Sequence, residues 1–276
     1  METIQKEKVK LTAKVVSQEA LTDDICSMWI QAERIAKAAK PGQFISVYTK
    51  DKSKVLPRPI SLCEIDKEQG RLRIVYRVVG AGTKEFSAYQ AGDDIEIMGP
   101  LGNGFPLKEK KAFLIGGGIG IPPMLELAKN LNCEKQMVLG YRDVLFLNEE
   151  FEQYGKVYVA TEDGSAGTKG NVIDAIKANA TALGNYKLTF YDPCVECNGN
   201  NLALTATGTT LTEGRTIAVD PSVIPLGSRV FIEGYGVFIA EDTGGAIKGN
   251  KIDIAVSTHE RANELGVQYA NVYLLK

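Results

Sequence analysis

A single histidine, His259, and a single tryptophan, Trp29, stand in the whole chain. A Ser-His-Asp relay has only that histidine to draw on, and a zinc centre of several imidazoles is excluded. Cysteine is scarce: Cys26, Cys63, Cys133, Cys194 and Cys197. Only the last two are closely spaced, as CVEC. One CxxC supplies two of the four ligands a structural zinc takes, so no metal centre is expected. The scattered remainder reads as buried thiols in a reducing compartment. An excess of either charge is also missing. The 32 Lys+Arg against 34 Asp+Glu leave a net charge of −2, without the electrostatic footprint that nucleic-acid binding needs. No apolar run approaches the ~20 residues of a membrane span. The opening METIQKEKVK is charged, so no secretion signal and a cytoplasmic location are expected.

What is present is ordinary for a folded protein: 276 residues, 44% hydrophobic and 24% charged. That length is long for one domain and comfortable for two. Up to about residue 107 the chain reads as β. Short runs such as VKLTAKVV, SMWIQA, QFISVYT, RPISLCEI and RLRIVYRVV are punctuated by KPGQ, KEQG and QAGDD, the pattern of a small antiparallel barrel or sandwich. One helix is expected at TKEFSAYQ. From AFLIGG onward, apolar strands alternate with helices such as PPMLELAKNL, which implies βαβ units and a parallel sheet. ANATALGNYK is small and polar and reads as a junction. After LTFYDP the chain returns to β, with one helix at HERANELG. The expectation is mainly β with α/β: a barrel over 1–107, a partial parallel α/β domain over 108–180, and a second barrel over 181–276.

Three N-terminal motifs carry chemistry. RPISL sets a guanidinium and a hydroxyl on one strand, a pairing suited to a phosphate or pyrophosphate. In GAGTKEF, Gly80 and Gly82 allow close backbone approach, and Thr83 is placed to cap a helix beginning at Lys84. GGGIGIPP follows a buried strand and opens a helix, the context in which nucleotide pyrophosphates bind. Each motif alone has a plain structural alternative: an exposed arginine on a strand, a capped glycine turn, a tight βα turn.

Together, RPISLCEI, YRVVGAGTKEFS, IMGPLGNGFPL, LIGGGIGIPPMLELAK and ATEDGSAGTKGNVID resemble the ferredoxin–NADP reductase superfamily. Within it they are similar to the electron-transfer subunits of class B dihydroorotate dehydrogenase, a cytoplasmic enzyme of pyrimidine synthesis. The resemblance covers residues 1–178. It implies an FAD-binding barrel followed by an NAD-binding α/β domain. Arg58, Pro59 and Ser61 would contact FAD, and Gly80, Gly82 and Thr83 its pyrophosphate. Gly116, Gly117, Gly118 and Gly120 would face the nicotinamide nucleotide. Electrons would pass from NADH through FAD to a catalytic dihydroorotate dehydrogenase subunit. The likeness stops near Asn179, before the family's further strand and its cysteine-rich cluster segment. A [2Fe–2S] cluster needs four thiolates, and the remaining chain holds only Cys194 and Cys197, so no cluster is expected.

From residue 187, TFYDPCVECNG, TATGTTLTEGRTIAVDPSVIPLGSRVFI, GYGVFIAEDTGGAIKGNKIDIAV and VYLL resemble the three-aspartate (3D) domain of cell-wall-active proteins. That domain is similar to the barrel of MltA-type lytic transglycosylases. A double-psi β-barrel is implied, with Asp220, Asp242 and Asp253 as the three aspartates and peptidoglycan glycan strands as the partner. The loop TGGAIKGN is expected to bring the strands of Asp242 and Asp253 together. Two carboxylates in one cleft push their proton affinities apart and leave one as a general acid. Asp253 is the expected acid and Asp242 its tuning partner, while Asp220, before Pro221, is the most structural of the three. Aspartates in D-P and D-T-G contexts also organise turns. Cys194 and Cys197 are expected to be structural, His259 to be exposed at a helix start, Trp29 to fill the barrel core, and NEEFEQ to form a solvated helix face. The junction near 178–187 falls inside the first family's domain, which marks a chimera-like fusion.

Overall fold

The computed structural model describes residues 8–51, 53–107, 112–193 and 204–275. Two compact units divide the chain, Met1–Ala175 and Ile176–Lys276.

The first unit opens with six strands: β1 (Val9–Ala20), β2 (Ile25–Gln31), β3 (Phe44–Tyr48), β4 (Arg58–Asp66), β5 (Arg71–Arg77) and β6 (Asp94–Leu101). They close into an antiparallel barrel in the order β1-β2-β5-β4-β3-β6. β1 shows why: Val9, Ala13 and Val15 are buried, whereas Lys10, Thr12 and Lys14 face water, the two-residue period of a half-buried strand. Met28, Ile30, Ile45, Val47, Leu62, Leu72 and Ile74 fill the interior. Two short helices, α1 (Glu33–Ala38) and α2 (Ala81–Phe86), join the strands, and Phe86 is buried in the core. Trp29 does not fill that core. Met28 and Ile30 take the inward positions of β2, so strand parity turns Trp29 to the outer wall, where the Arg73 guanidinium lies 6.0 Å from its ring centre.

Within the same unit, β7 (Ala112–Gly117), β8 (Lys135–Tyr141), β9 (Lys156–Thr161) and β10 (Thr168–Lys169) form a parallel sheet in the order β10-β9-β8-β7. A 3-10 turn (Gly118–Gly120), α3 (Pro122–Asn130) and α4 (Asn148–Glu152) continue the alternation, and α5 (Val172–Asn179) begins in this unit and ends in the next. Pro122 and Pro123 open α3, where an N–H is not needed. The acidic run at α4 is not simply a solvated face. Phe151 is fully buried, and Glu150 reaches inward to Arg73 on β5, 2.6 Å away. Arg73, only 6% exposed, also bonds Glu64 Oε2 at 2.8 Å and Ser27 Oγ at 2.9 Å. On α3, buried Glu126 accepts the Ile65 backbone N–H of β4 at 3.0 Å. Burial pushes its carboxyl above the usual range, against the lowering by this bond and by Asn130.

The second unit is another closed six-stranded barrel. Its strands are β11 (Ala180–Tyr191), β12 (Thr216–Ala218), β13 (Arg229–Ile232), β14 (Gly236–Asp242), β15 (Lys251–Ala255) and β16 (Gln268–Leu275), with α6 (His259–Leu265) before the last. The order is β11-β15-β12-β14-β13-β16. β11–β15 and β12–β14 are parallel and the other pairs antiparallel, giving the second barrel of the expected mainly β architecture. Leu188, Ile217, Val219, Val230, Ile232 and Ile252 form its core. ATALGNYK is strand rather than junction. Its residues pair with β16 from Ala180↔Leu275 to Leu188↔Gln268, and that partner overrides their weak local propensity. No helix among the described residues is long and apolar enough to cross a membrane.

The Arg73 cluster yields a stability prediction. Arg73→Met leaves Glu64 and Glu150 facing each other without their shared cation, and should cost about 3 kcal/mol. The denaturation midpoint followed by Trp29 fluorescence measures it, and a loss below about 1 kcal/mol would show that the cluster contributes little.

Candidate functional site

In the first unit the Arg58 strand meets the glycine turn that opens α2. Pro59 and Ser61 share the exposed face of β4, while Arg58 is half-buried at its start. The Arg58 guanidinium lies against Gly82: a Cβ there would fall 2.7 Å from Nε and 2.8 Å from Cζ. A side chain at Gly82 would displace the guanidinium from this position. Arg58 Nη1 also donates to the Leu56 carbonyl. Helix α2 begins at Ala81, not Lys84. Thr83 is therefore not its cap but sits within the first turn, where its hydroxyl accepts the N–H groups of Val79 at 3.0 Å and Gly80 at 3.2 Å. Thr83 Oγ1 also donates to the Gly80 carbonyl at 3.1 Å, and the Lys84 N–H donates to the same oxygen at 2.9 Å.

The glycines after β7 divide in two. Gly116 is closely packed, since a Cβ would lie 3.1 Å from the Ile121 Cα. At Gly117, Gly118 and Gly120 a Cβ would meet nothing within 4 Å, as at Gly80. Gly118 needs its freedom for a φ of +51°. For Gly80, Gly117 and Gly120 no protein neighbour requires glycine, which fits an approach kept clear for a ligand's backbone contact. A cleft lies beside this loop, lined among others by Thr22, Arg77, Gly118, Tyr141 and Arg142. Arg77 is held 3.2 Å from Asp24, and Arg142 is 3.1 Å from Asp143. The sequence reading missed these two arginines. Their signal is position: Arg77 directly precedes VVGAGT, and Arg142 follows the carboxyl end of β8, where open parallel sheets bind ligands.

In the second unit Asp242 ends β14 and Asp253 lies within β15. These strands do not pair, contrary to the expectation for TGGAIKGN. β12 runs between them, and Ala218 stands opposite both aspartates in register. The small side chain of Ala218 separates the two carboxylates across one strand. Thr189 Oγ1 donates to Asp253 Oδ1 at 2.7 Å. Burial pushes the Asp253 carboxyl up, and the Asp242 charge adds to this against the lowering by Thr189 and Lys251. Asp242 is surrounded by donors: Tyr191 Oη at 2.8 Å on Oδ2, and the N–H groups of Ala206 and Thr243, both at 2.9 Å, on Oδ1. Thr189 and Tyr191 were not anticipated. Their signal is the two-residue period of TFY on a strand whose intervening Phe190 faces the other way.

Asp220 does different work. Oδ1 accepts the Ser222 N–H at 3.0 Å and its hydroxyl at 2.7 Å, and Oδ2 accepts the Gly249 N–H at 2.9 Å. These bonds hold its carboxyl down at about 2, so it organises a turn as a fixed anion. Next to Asp242, buried Glu241 is bound through both oxygens by Arg215, at 2.5 and 3.1 Å, and takes the Thr216 hydroxyl at 3.0 Å. His259 is exposed at the start of α6, with Nδ1 3.6 Å from Asp192 Oδ1; Thr258 is the cap of that helix. Cys194 and Cys197 lie outside the described residues. Among the described residues no group of three or more His, Cys, Asp and Glu is placed to hold a metal ion.

The Asp220 turn predicts a pH dependence. Its folded value lies below the unfolded ~3.9, so its stabilisation is present above about pH 4 and is lost as pH falls towards 2. Hydrogen exchange of the β12 and β15 amides in wild type and Asp220→Asn should differ at pH 5 and converge near pH 2. A difference that persists unchanged to pH 2 would contradict the assignment.

Comparison with known proteins agrees with this division. Residues 12–105 match the oxidoreductase FAD-binding domain family, and residues 215–276 match the 3D domain family. A dihydroorotate dehydrogenase B (NAD(+)) electron transfer subunit of Streptococcus pneumoniae is 42% identical over 58% of this chain and 66% of its own length. The Streptococcus mutans subunit is 44% identical over 63% of this chain and 72% of its own, and that of Geobacillus kaustophilus 40% identical over 60% and 68%. Among solved structures, an NADH-dependent reduced ferredoxin-NADP oxidoreductase is 32% identical with a TM-score of 0.57, covering 60% of this chain and 62% of that one. The ferredoxin reductase of carbazole 1,9a-dioxygenase, at 21% identity and a TM-score of 0.54 over 62% of this chain and 57% of its own, shares the fold. The chain spans about two thirds of the length of the curated relatives it matches. On the identity and coverage of these relatives, it belongs to the family of dihydroorotate dehydrogenase B electron-transfer subunits.

Proposed function

We propose that the chain is a flavoprotein electron carrier, with FAD on the N-terminal barrel and NADH at the glycine loop after β7. The observation that carries this is the contrast among the glycines: Gly82 lies against the Arg58 guanidinium, while Gly80, Gly117 and Gly120 answer to no protein neighbour. Bound FAD supplies two-electron acceptance from NADH and release to a further acceptor. The chain's part is to bind and orient. The Arg58 cation would hold the pyrophosphate, beside the turn tied by Thr83. Pro59 and Ser61 present the exposed face of β4 to the flavin. Gly117, Gly118 and Gly120 would admit the nicotinamide nucleotide, with Gly116 packed behind them, and Arg77 and Arg142 would flank its cleft. The acceptor would be a catalytic dihydroorotate dehydrogenase subunit, as the relatives' names indicate, and the location cytoplasmic. On this reading the flavin half is 1–107, the nicotinamide half 108–180 and the second barrel 181–276.

A second reading concerns that second barrel, and Asp253 favours it. A half-buried carboxyl beside a second carboxylate suits a general acid acting on a glycosidic bond of peptidoglycan, as in lytic transglycosylases. The Asp253 proton goes to the bridging oxygen as its bond to C1 breaks. The sugar's own 6-hydroxyl then bonds C1, and its proton returns to Asp253. No water is consumed.

Two measurements test these readings. The intact chain, purified without added flavin, should release stoichiometric FAD on denaturation. Arg58→Ala should weaken FAD binding about 10–100-fold through loss of charge-assisted hydrogen bonds, and unaltered affinity would remove Arg58 from the site. Incubation with peptidoglycan should release anhydro-muropeptides at a rate about 10²–10⁴-fold lower for Asp253→Asn. Equal release by the variant would end the acid assignment.

A further inference from the structure

The second reading leaves open what decides which of two neighbouring carboxylates keeps the proton. The carboxyl surroundings answer unequally. Among the described residues, Asp253 receives one side-chain donor, Thr189, whereas Asp242 receives three donors, two of them backbone N–H groups fixed by the fold. The third, Tyr191, is 6% exposed at the end of β11, and its hydroxyl points at Asp242 Oδ2 from 2.8 Å. We propose that Tyr191 is a positioning residue: by donating to Asp242 it holds that carboxylate as the ionised partner, so that the proton resides on Asp253.

This inference rests on the second reading for its chemistry but not for its geometry. Burial, together with the Asp242 carboxylate, keeps the phenol protonated well above its ordinary range, so Tyr191 remains a donor. Among the described residues, the charges acting on it are those of Asp242, Asp253 and Glu241. β15 contributes Asp253 and Lys251, whose ammonium donates to the Ala246 carbonyl at 3.2 Å. β14 contributes Asp242 and Glu241, the latter neutralised by Arg215. β12 offers Ala218, which does not titrate. From α6, His259 lies toward Asp192, the residue after Tyr191. Asp242 thus meets Tyr191 as its one side-chain donor among the bonds described, and that bond is removable without altering the backbone.

The test uses the full chain labelled at its aspartate carboxyl carbons and read by NMR titration. In wild type Asp242 should titrate below Asp253. In Tyr191→Phe the Asp242 midpoint should rise by about one pH unit, the loss of one charge-assisted bond. Asp242→Asn should lower the Asp253 midpoint, and adding Tyr191→Phe to it should shift Asp253 no further. If glycan cleavage is present, its acidic limb should move with Asp242, and kcat should fall while KM stays. Unchanged carboxyl midpoints in Tyr191→Phe, with only a lower melting temperature, would overturn the proposal and leave Tyr191 a packing residue. A further Asp253 shift in the double variant would overturn it too, including where Tyr191→Phe alone folds poorly. Absence of any glycan cleavage by wild type would end the second reading alone, since the titrations decide the role of Tyr191 without it.

Discussion

Arg73 cannot give up its charge, and it sits almost out of reach of water. A guanidinium in that position must be met by carboxylates. Glu64 comes from the neighbouring strand, Glu150 from the helix after β8, and Glu19 approaches to 3.5 Å from β1. Because those groups belong to different layers, satisfying one cation brings barrel and parallel sheet to a common surface. Glu126 repeats the device with a backbone partner, Ile65. The glycine loop after β7 and the Arg58 strand are therefore held in one frame by groups that never touch a ligand. Such arrangements are weak sources of net stability but strong sources of uniqueness when broken contacts leave a buried charge behind.

The two candidate sites use opposite means. In the first unit, function is written in what has been removed: side chains absent at Gly80, Gly117 and Gly120 leave backbone accessible. In the second, it is written in crowding, with two carboxylates, a phenol and a threonine hydroxyl gathered across β11, β14 and β15. The first kind of site needs little electrostatic tuning, since an anionic ligand brings its own charge to a fixed arginine. The second depends on tuning, because acid catalysis requires one of two like groups to keep its proton.

Much of this was legible from residues alone. The alternation of VKLTAKV, the apolar run AFLIGG before glycines, and the prolines of GIPP each specify a local element, and those elements formed. Most of the differences come from a partner distant in sequence, and one from a local shift of a helix start. Trp29 was misassigned because its parity on β2 depends on which face the barrel closes around. ATALGNYK looked like a junction because β16, some ninety positions later, is what makes it a strand. The link between Asp242 and Asp253 was sought in the loop joining them, but it runs through Ala218 on a third strand. Thr83 was taken for a cap because the helix start moved three residues, a shift that local propensity cannot register.

β11 has a consequence for how such a barrel can be moved between proteins. It is the one strand that pairs with both β15 and β16, and it lies before residues 215–276, the stretch that matches the 3D family. A gene rearrangement that carried only that stretch would deliver two strands with bare hydrogen-bonding edges, prone to sticking to other chains. The heritable cassette is thus longer than the recognisable signature, and its leading piece is the least distinctive sequence in it. Small, polar, easily altered residues can cross a recombination boundary unnoticed while still deciding whether the transplanted fold stays soluble.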